Sequence, residues 1–296
     1  MDDGHPPNRA AVSPEPVIDL DQVLDKFAGA RWFKPVILPL VARTLRLERF
    51  NKDVADWETA IGSEPPFETL YRKFGVDIKV TSGDPAALAH PGPLVVVCNH
   101  PLGILDGLAL ARMAAATGRR PKILASDFLD RVRPLRRFVI TVDSFRKRDT
   151  KLKNLAALME AVKHLEGGGV LIVFPSGRVS HFRIAKLRVC DPPWSNEVIK
   201  LIRNSGAAVL PVRFHGRNSF AFYALGIFHP IVRALMLLRE LYRTVDTRRG
   251  VSLSIGELMT ADAALAARDG VSPVERLRRI VYALNGDAGR VGTQDQ

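Results

Sequence analysis

Residues 167–175 read "GGGVLIVFP". The glycines close the preceding segment, the proline closes this one, and Val170 to Phe174 are apolar without a break. A strand with one face in water alternates apolar and polar residues, whereas an unbroken run of this length belongs to a strand buried on both faces. Upstream, "TKLKNLAALMEAVKHL" (150–165) has helical spacing, with Leu152, Leu155, Ala156, Met159 and Val162 on one face. Downstream, "NEVIKLIRNSG" is a short helix ended by Gly206, and "AAVLPVRF" (207–214) is another strand. Earlier still, "VDIKV", "PLVVVC", "KILA" and "FVITV" read as strands and "ALARMAAAT" as a helix. The C-terminal part adds a basic helix near 229–243, a strand "VSLSI", and a helix starting at Ser272-Pro273. Strands alternating with helices predict an α/β fold, a mostly parallel central sheet covered by helices on both faces.

The expected organisation is a disordered lead over 1–16, an N-terminal helical segment over 17–74, an α/β domain over 75–286 and a disordered tail over 287–296. Within the helical segment, 19–50 looks helical, with Pro35 and Pro39 dividing it or starting a second helix.

Lys and Arg number 43 against 31 Asp and Glu, a formal charge of +12. That excess suits an anionic partner: nucleic acid, an anionic membrane surface, a phosphorylated metabolite or an acidic carrier protein. Nucleic acid is disfavoured, because the basic segments interleave few aromatics and show no helix-turn-helix or zinc pattern. Cys98 and Cys190 form neither a disulfide framework nor a metal-ligand spacing, which suits a reduced, cytoplasmic chain. No histidine has the partners of a metal site, so no metal is expected. The start of the chain lacks the basic and apolar regions of a signal peptide. The most apolar stretch, 220–238, is interrupted by His229, Pro230 and Arg233, and is not a transmembrane helix. Basic amphipathic segments at 34–49 and 229–243 either pack on the domain body or rest on anionic lipid at the inner face of a membrane.

In open α/β sheets ligands gather at the carboxyl ends of strands. There the chain reads "VVVCNHPLGILDG" (95–107), placing His100 at a strand end and Asp106 six positions on. A carboxylate that accepts the Nδ1–H of such a histidine fixes its tautomer and stabilises the imidazolium formed when Nε2 takes a proton. Asp106 capping the following helix is the alternative. "FPSGRVS" lacks a nucleophile elbow, so a serine hydrolase is disfavoured. His215, His164 and His181 read as structural, and the glycines at 167–169 as a helix cap and turn.

"NHPLGILDG", "FPSGRVS" and "VLPVRFHGRNS" follow in that order, each beside a predicted strand. Together they resemble the glycerolipid acyltransferase superfamily, and within it the bacterial hemolysin-like branch, over roughly residues 75–260. The resemblance implies acyl transfer from a thioester, on acyl-CoA or acyl carrier protein, to a hydroxyl of a lysolipid-type acceptor at a membrane, with no bound cofactor. It makes His100 the general base and Asp106 its orienting partner. Substrate would meet Asn99, the cluster Arg146, Lys147 and Arg148 after "FVITV", and Phe174, Pro175, Ser176, Gly177 and Arg178. Around the cluster, residues 130–153 hold nine Lys or Arg against three Asp. The chain departs from the family in having five residues between His100 and Asp106, Ser176 in place of an acidic residue and Val179 in place of an arginine. Those last two positions serve an acceptor's phosphate, so the resemblance supports the chemistry further than a glycerol-phosphate acceptor. A thioesterase or lipid hydrolase, or a non-enzymatic basic lipid-binding protein, are the alternatives.

Overall fold

The structure is a computed structural model that describes residues 42–60, 67–68, 74–126, 129, 132–142, 150–227, 230–267 and 270–285. The run that opened the sequence reading is strand β5 (Val170–Val173), buried along its whole length. It belongs to a seven-stranded sheet in the order β1-β9-β8-β2-β5-β3-β4. The other strands are β1 (Ile78–Ser82), β2 (Leu94–Cys98), β3 (Pro121–Ser126), β4 (Val139–Val142), β8 (Ala208–His215) and β9 (Val251–Ile255). Every pairing is parallel except β8 with β9. Pro211 lies inside β8, and its carbonyl accepts the Gly256 N–H just past β9.

β2 lies at the centre of the sheet, and its five residues are buried. Leu94, Val96 and Cys98 face a core formed with α1 (Leu47–Ala60), α2 (Ile104–Ala116) and α6 (Pro230–Asp246). Val95 and Val97 face a second core formed with α3 (Thr150–Glu166), α4 (Glu197–Ser205), α7 (Ala261–Leu265) and α8 (Pro273–Ala283). Helices thus cover both faces, with α5 (Phe220–Gly226) preceding α6 at one end. The expected caps are in place: Gly206 closes α4 at φ 59°, Gly168 turns after α3 at φ 73°, and the Ser272 side chain accepts from the Glu275 N–H to start α8.

Three features go beyond the sequence reading. The buried face of α3 carries Ala157, Ala161 and Leu165, while Leu155 and Met159 are more than half exposed. Small residues, rather than the largest apolar ones, bring this helix onto the sheet. Of the two readings of the basic helix near 229–243, packing on the domain body describes it: Met236, Leu238, Leu241 and Tyr242 are buried in the first core. Finally, a separate antiparallel hairpin, β6 (His181–Arg183) with β7 (Arg188–Cys190), adds two short strands that the sequence did not predict. The N-terminal helix is seen from residue 42 with a break at Arg46, φ 56°. Its earlier part, including Pro35 and Pro39, lies outside the described residues, as do the lead over 1–16, the tail over 287–296 and the cluster Arg146, Lys147 and Arg148.

Candidate active site

β2 delivers Asn99 and His100 to the carboxyl rim of the sheet, where the chain turns sharply into α2. The turn needs Gly103, which sits at φ 76°, and a Cβ there would stand 2.7 Å from Leu237 Cδ2. One turn of helix later, Asp106 points back. Its Oδ2 lies 3.0 Å from His100 Nδ1 and accepts from the Leu102 N–H at 2.9 Å and the Gly103 N–H at 3.0 Å. One oxygen of Asp106 thus caps the helix and meets the imidazole at Nδ1 in the same geometry. Its carboxylate is fully buried, and Oδ1 has no hydrogen-bond partner among the described residues.

The His100 ring stacks on Phe174, centroids 3.9 Å apart, just past β5. A Cβ on Gly107 would stand 3.3 Å from Ile123 Cδ1, so this glycine lets α2 lie close to β3. The His100 side chain keeps 18% of its surface exposed. With Nδ1 held by Asp106, Nε2 makes no hydrogen bond among the described residues. The arrangement is an imidazole held through Nδ1 by a buried carboxylate, a geometry suited to proton transfer at Nε2.

Burial raises the Asp106 carboxyl above its ordinary value of 3.8, against the lowering by His100 and the two amides. A group whose folded value is raised lends stability below its unfolded value and loses it as pH rises through the folded one. Asp106→Asn removes that dependence, so the variant's melting temperature relative to wild type should climb as pH is raised above 4. Melting curves across a pH series test this; a constant offset would overturn it. Transfer activity should also fall, by less than the roughly 10²–10⁴-fold that a whole general base is worth.

Asp191 organises the other side of the turn. Nearly fully buried, it accepts from the Ser180 hydroxyl, the Trp194 Nε1–H at 3.1 Å and the His100 backbone N–H at 3.4 Å. The Ser180 N–H in turn donates to the His100 carbonyl at 2.8 Å. Asn218 Nδ2 donates to the Pro101 carbonyl at 2.9 Å, while its own N–H donates to the Tyr223 hydroxyl. Ser219, next along, meets Glu240, a buried carboxylate of α6 that also takes Arg239 Nη1 and Arg243 Nε. Neither Asp191 nor Glu240 was singled out in the sequence, since nothing local marks a partner 91 residues away. Asn218 could have been found, as it lies inside the "VLPVRFHGRNS" block.

Asn99, expected at the substrate, is a fold residue. Its Oδ1 accepts the Phe214 N–H at 2.7 Å and its Nδ2 donates to the Phe214 carbonyl at 3.0 Å, tying the end of β2 to β8. Pro175 is buried, and the Ser176 hydroxyl closes its own turn on the Arg178 carbonyl. Gly177 takes φ 61° in that turn, leaving Arg178 exposed. His215 bonds Ser254 at 2.8 Å and His164 approaches the Val170 carbonyl at 3.2 Å, both structural. The Cys98 thiol is fully buried, bonded to the Val173 carbonyl, and pushed well up by burial, then by Asp106 and Asp191; it is no nucleophile.

Arg178 belongs to a group of like charges beside the turn. Burial, then Arg178, lowers the Arg233 guanidinium, and burial lowers the His181 imidazole, with Arg233, Arg183 and Arg178 adding to it. None of these four forms an ion pair with a carboxylate among the described residues. Such a cluster favours an anion.

The family model described as acyltransferase matches residues 27–284. The chain belongs to this acyltransferase family. The enzyme is 30% identical to the lyso-glycine lipid O-acyltransferase of Bacteroides thetaiotaomicron over 281 residues, 90% of this chain and 97% of that one. It is 24% identical to the lyso-glycine lipid O-acyltransferase of Phocaeicola vulgatus, over 71% of this chain and 72% of that one. The solved 1-acyl-sn-glycerophosphate acyltransferase of Thermotoga maritima covers 88% of this acyltransferase at 15% identity, with a TM-score of 0.45.

Proposed function

We propose that this acyltransferase moves a fatty acyl chain from an acyl thioester, on coenzyme A or acyl carrier protein, to the hydroxyl of a membrane lysolipid with an anionic headgroup. The observation that carries this is the His100–Asp106 pair, with Nδ1 held by a buried carboxylate and Nε2 free on the rim. Nε2 takes the acceptor's hydroxyl proton as the oxygen attacks the thioester carbonyl, forming the new C–O bond and a tetrahedral oxyanion. That intermediate collapses, the C–S bond breaks, and the imidazolium returns the proton to the departing sulfur. Asp106 stabilises the imidazolium between the two steps. Burial of Cys98 supports direct transfer without an acyl-enzyme.

The guanidiniums of Arg178, Arg183 and Arg233, which have no carboxylate partner among the described residues, support an anionic headgroup. The names of the Bacteroides and Phocaeicola relatives support a glycine-type lysolipid, whose carboxylate an Arg fork fits. Ser176 and Val179, in place of the family's acidic residue and arginine, favour it over a glycerol phosphate. Arg146, Lys147 and Arg148 then serve a phosphate of the donor. No described helix is long and apolar enough to cross a membrane, and we place the enzyme on the cytoplasmic side, peripheral to the inner face.

Purified enzyme given an acyl thioester and a panel of lysolipids should form ester with the glycine-type acceptor, releasing one thiol per ester formed. Lysophosphatidic acid should be used poorly. Thiol released at the same rate without any acceptor would make the protein a hydrolase instead.

A further inference from the structure

Large apolar side chains left in water are unevenly distributed on this molecule. Ile184 is 67% exposed and Leu187 79% on the β6–β7 hairpin, and Phe220 is 85% exposed at the start of α5, followed by Leu225 and Ile227. α5 packs against β6, so these residues share one end of the molecule. Leu187 is unusual twice over. It holds a left-handed backbone, φ 47°, that favours Gly or Asn, and it presents its side chain almost entirely to solvent. Neither choice helps the isolated fold.

Apart from the buried Asp191 and Glu240 behind them, the charge on these segments has one sign. Residues 177–190 contain Arg178, Arg183, Lys186 and Arg188 and no carboxylate, and residues 216–227 add Arg217 and no carboxylate. Apolar residues at a tip with basic residues behind them match the interface of an anionic bilayer: acyl region ahead, phosphate or carboxylate headgroups around. A protein partner of ordinary composition explains the apolar tip but not the missing carboxylates.

The same segments hold the catalytic turn. Ser180, one residue before the hairpin, donates to the His100 carbonyl, and Asn218, two residues before α5, donates to the Pro101 carbonyl. We propose that the β6–β7 hairpin and α5 form a docking tip that seats in an anionic lipid bilayer and presents His100 to acceptor lipid arriving from the membrane plane. This rests on the reading of the acceptor as a membrane lysolipid, yet its test needs no turnover.

The probe is vesicles of phosphatidylcholine alone or with about a third phosphatidylglycerol, sedimented with the full chain at several salt concentrations. Wild type should pellet with the anionic vesicles. Leu187→Asn and Phe220→Ser should each weaken that partition roughly tenfold, as loss of one buried large apolar side chain implies. Leu187→Asn should keep or raise the melting temperature, because Asn suits the left-handed backbone. Lys186→Gln with Arg188→Gln should weaken anionic binding roughly fivefold per charge and flatten its salt dependence. Transfer to a short-chain acceptor below its micelle concentration should stay at wild-type rate in Leu187→Asn. Wild type that does not pellet, variants that pellet equally, or a variant that changes oligomeric state without changing vesicle binding would each overturn the proposal. So would equal activity loss on the dispersed acceptor, which would place Leu187 in the site. If vesicle binding behaves as expected and no ester forms with any acceptor, the docking tip stands and the function reading falls.

Discussion

His100→Ala is expected to lower kcat by roughly 10²–10⁴-fold, the contribution of a positioned general base. KM for the acceptor should move little, because the proton transfer helps the transition state rather than the ground state. The fold should survive: Oδ2 of Asp106 keeps the Leu102 and Gly103 N–H donors, and the Phe174 ring loses a stacking partner at the rim, not a core neighbour. Initial rates with each substrate varied, on protein with a wild-type circular dichroism spectrum, are the measurement. A folded variant with wild-type kcat would remove His100 from the chemistry.

Glu240→Ala carries the largest stability effect. Glu240 is 1% exposed and takes four donors: Arg239, Arg243, and the N–H and hydroxyl of Ser219. Removing one partner of a buried ion pair costs about 3–5 kcal/mol. Arg239 and Arg243 keep partial access to solvent, so the low end, about 3 kcal/mol, is expected. For a chain of this size that is a fall in Tm of roughly 6–12 °C. The loop from Gly216 to Ser219 should loosen too, and with it the Asn218 bond to Pro101. Glu240→Gln should fall between the two, since it keeps the volume and loses the charge. A Glu240→Ala shift within the scatter of repeated melts would contradict this account.

The parts readable from sequence were those governed by local pattern. β2, β5 and β8 announce themselves as apolar runs with punctuation, and Gly206 and Ser272-Pro273 mark helix ends by their chemistry. The His100–Asp106 pair was readable because both partners lie within one turn, six residues apart. Asp191 was not, because it meets His100 only after the hairpin folds back, and a lone aspartate in "VCDPPWS" carries no spacing rule. Asn99 was misread for a related reason: a polar residue at a strand end looks like a ligand contact until Phe214 is seen opposite. The α3 face failed where Leu155 and Met159 outweighed Ala157 and Ala161 by size, although close approach to a sheet favours the small pair. The hairpin strands are three residues each and too basic to alternate, so no period could show them.

The place of β2 in the sheet has one more consequence. It is flanked in parallel register by β5 from Leu94 to Val97 and by β8 from Leu94 to Cys98, and no residue of it meets water. Amides in such a strand exchange with solvent only when the whole molecule opens. In deuterium exchange, Val95 to Cys98 should therefore be among the slowest peptides, ending two residues before His100. Local melting cannot detach His100 from its strand ahead of the rest. On warming, loss of activity and loss of fold should coincide in one transition.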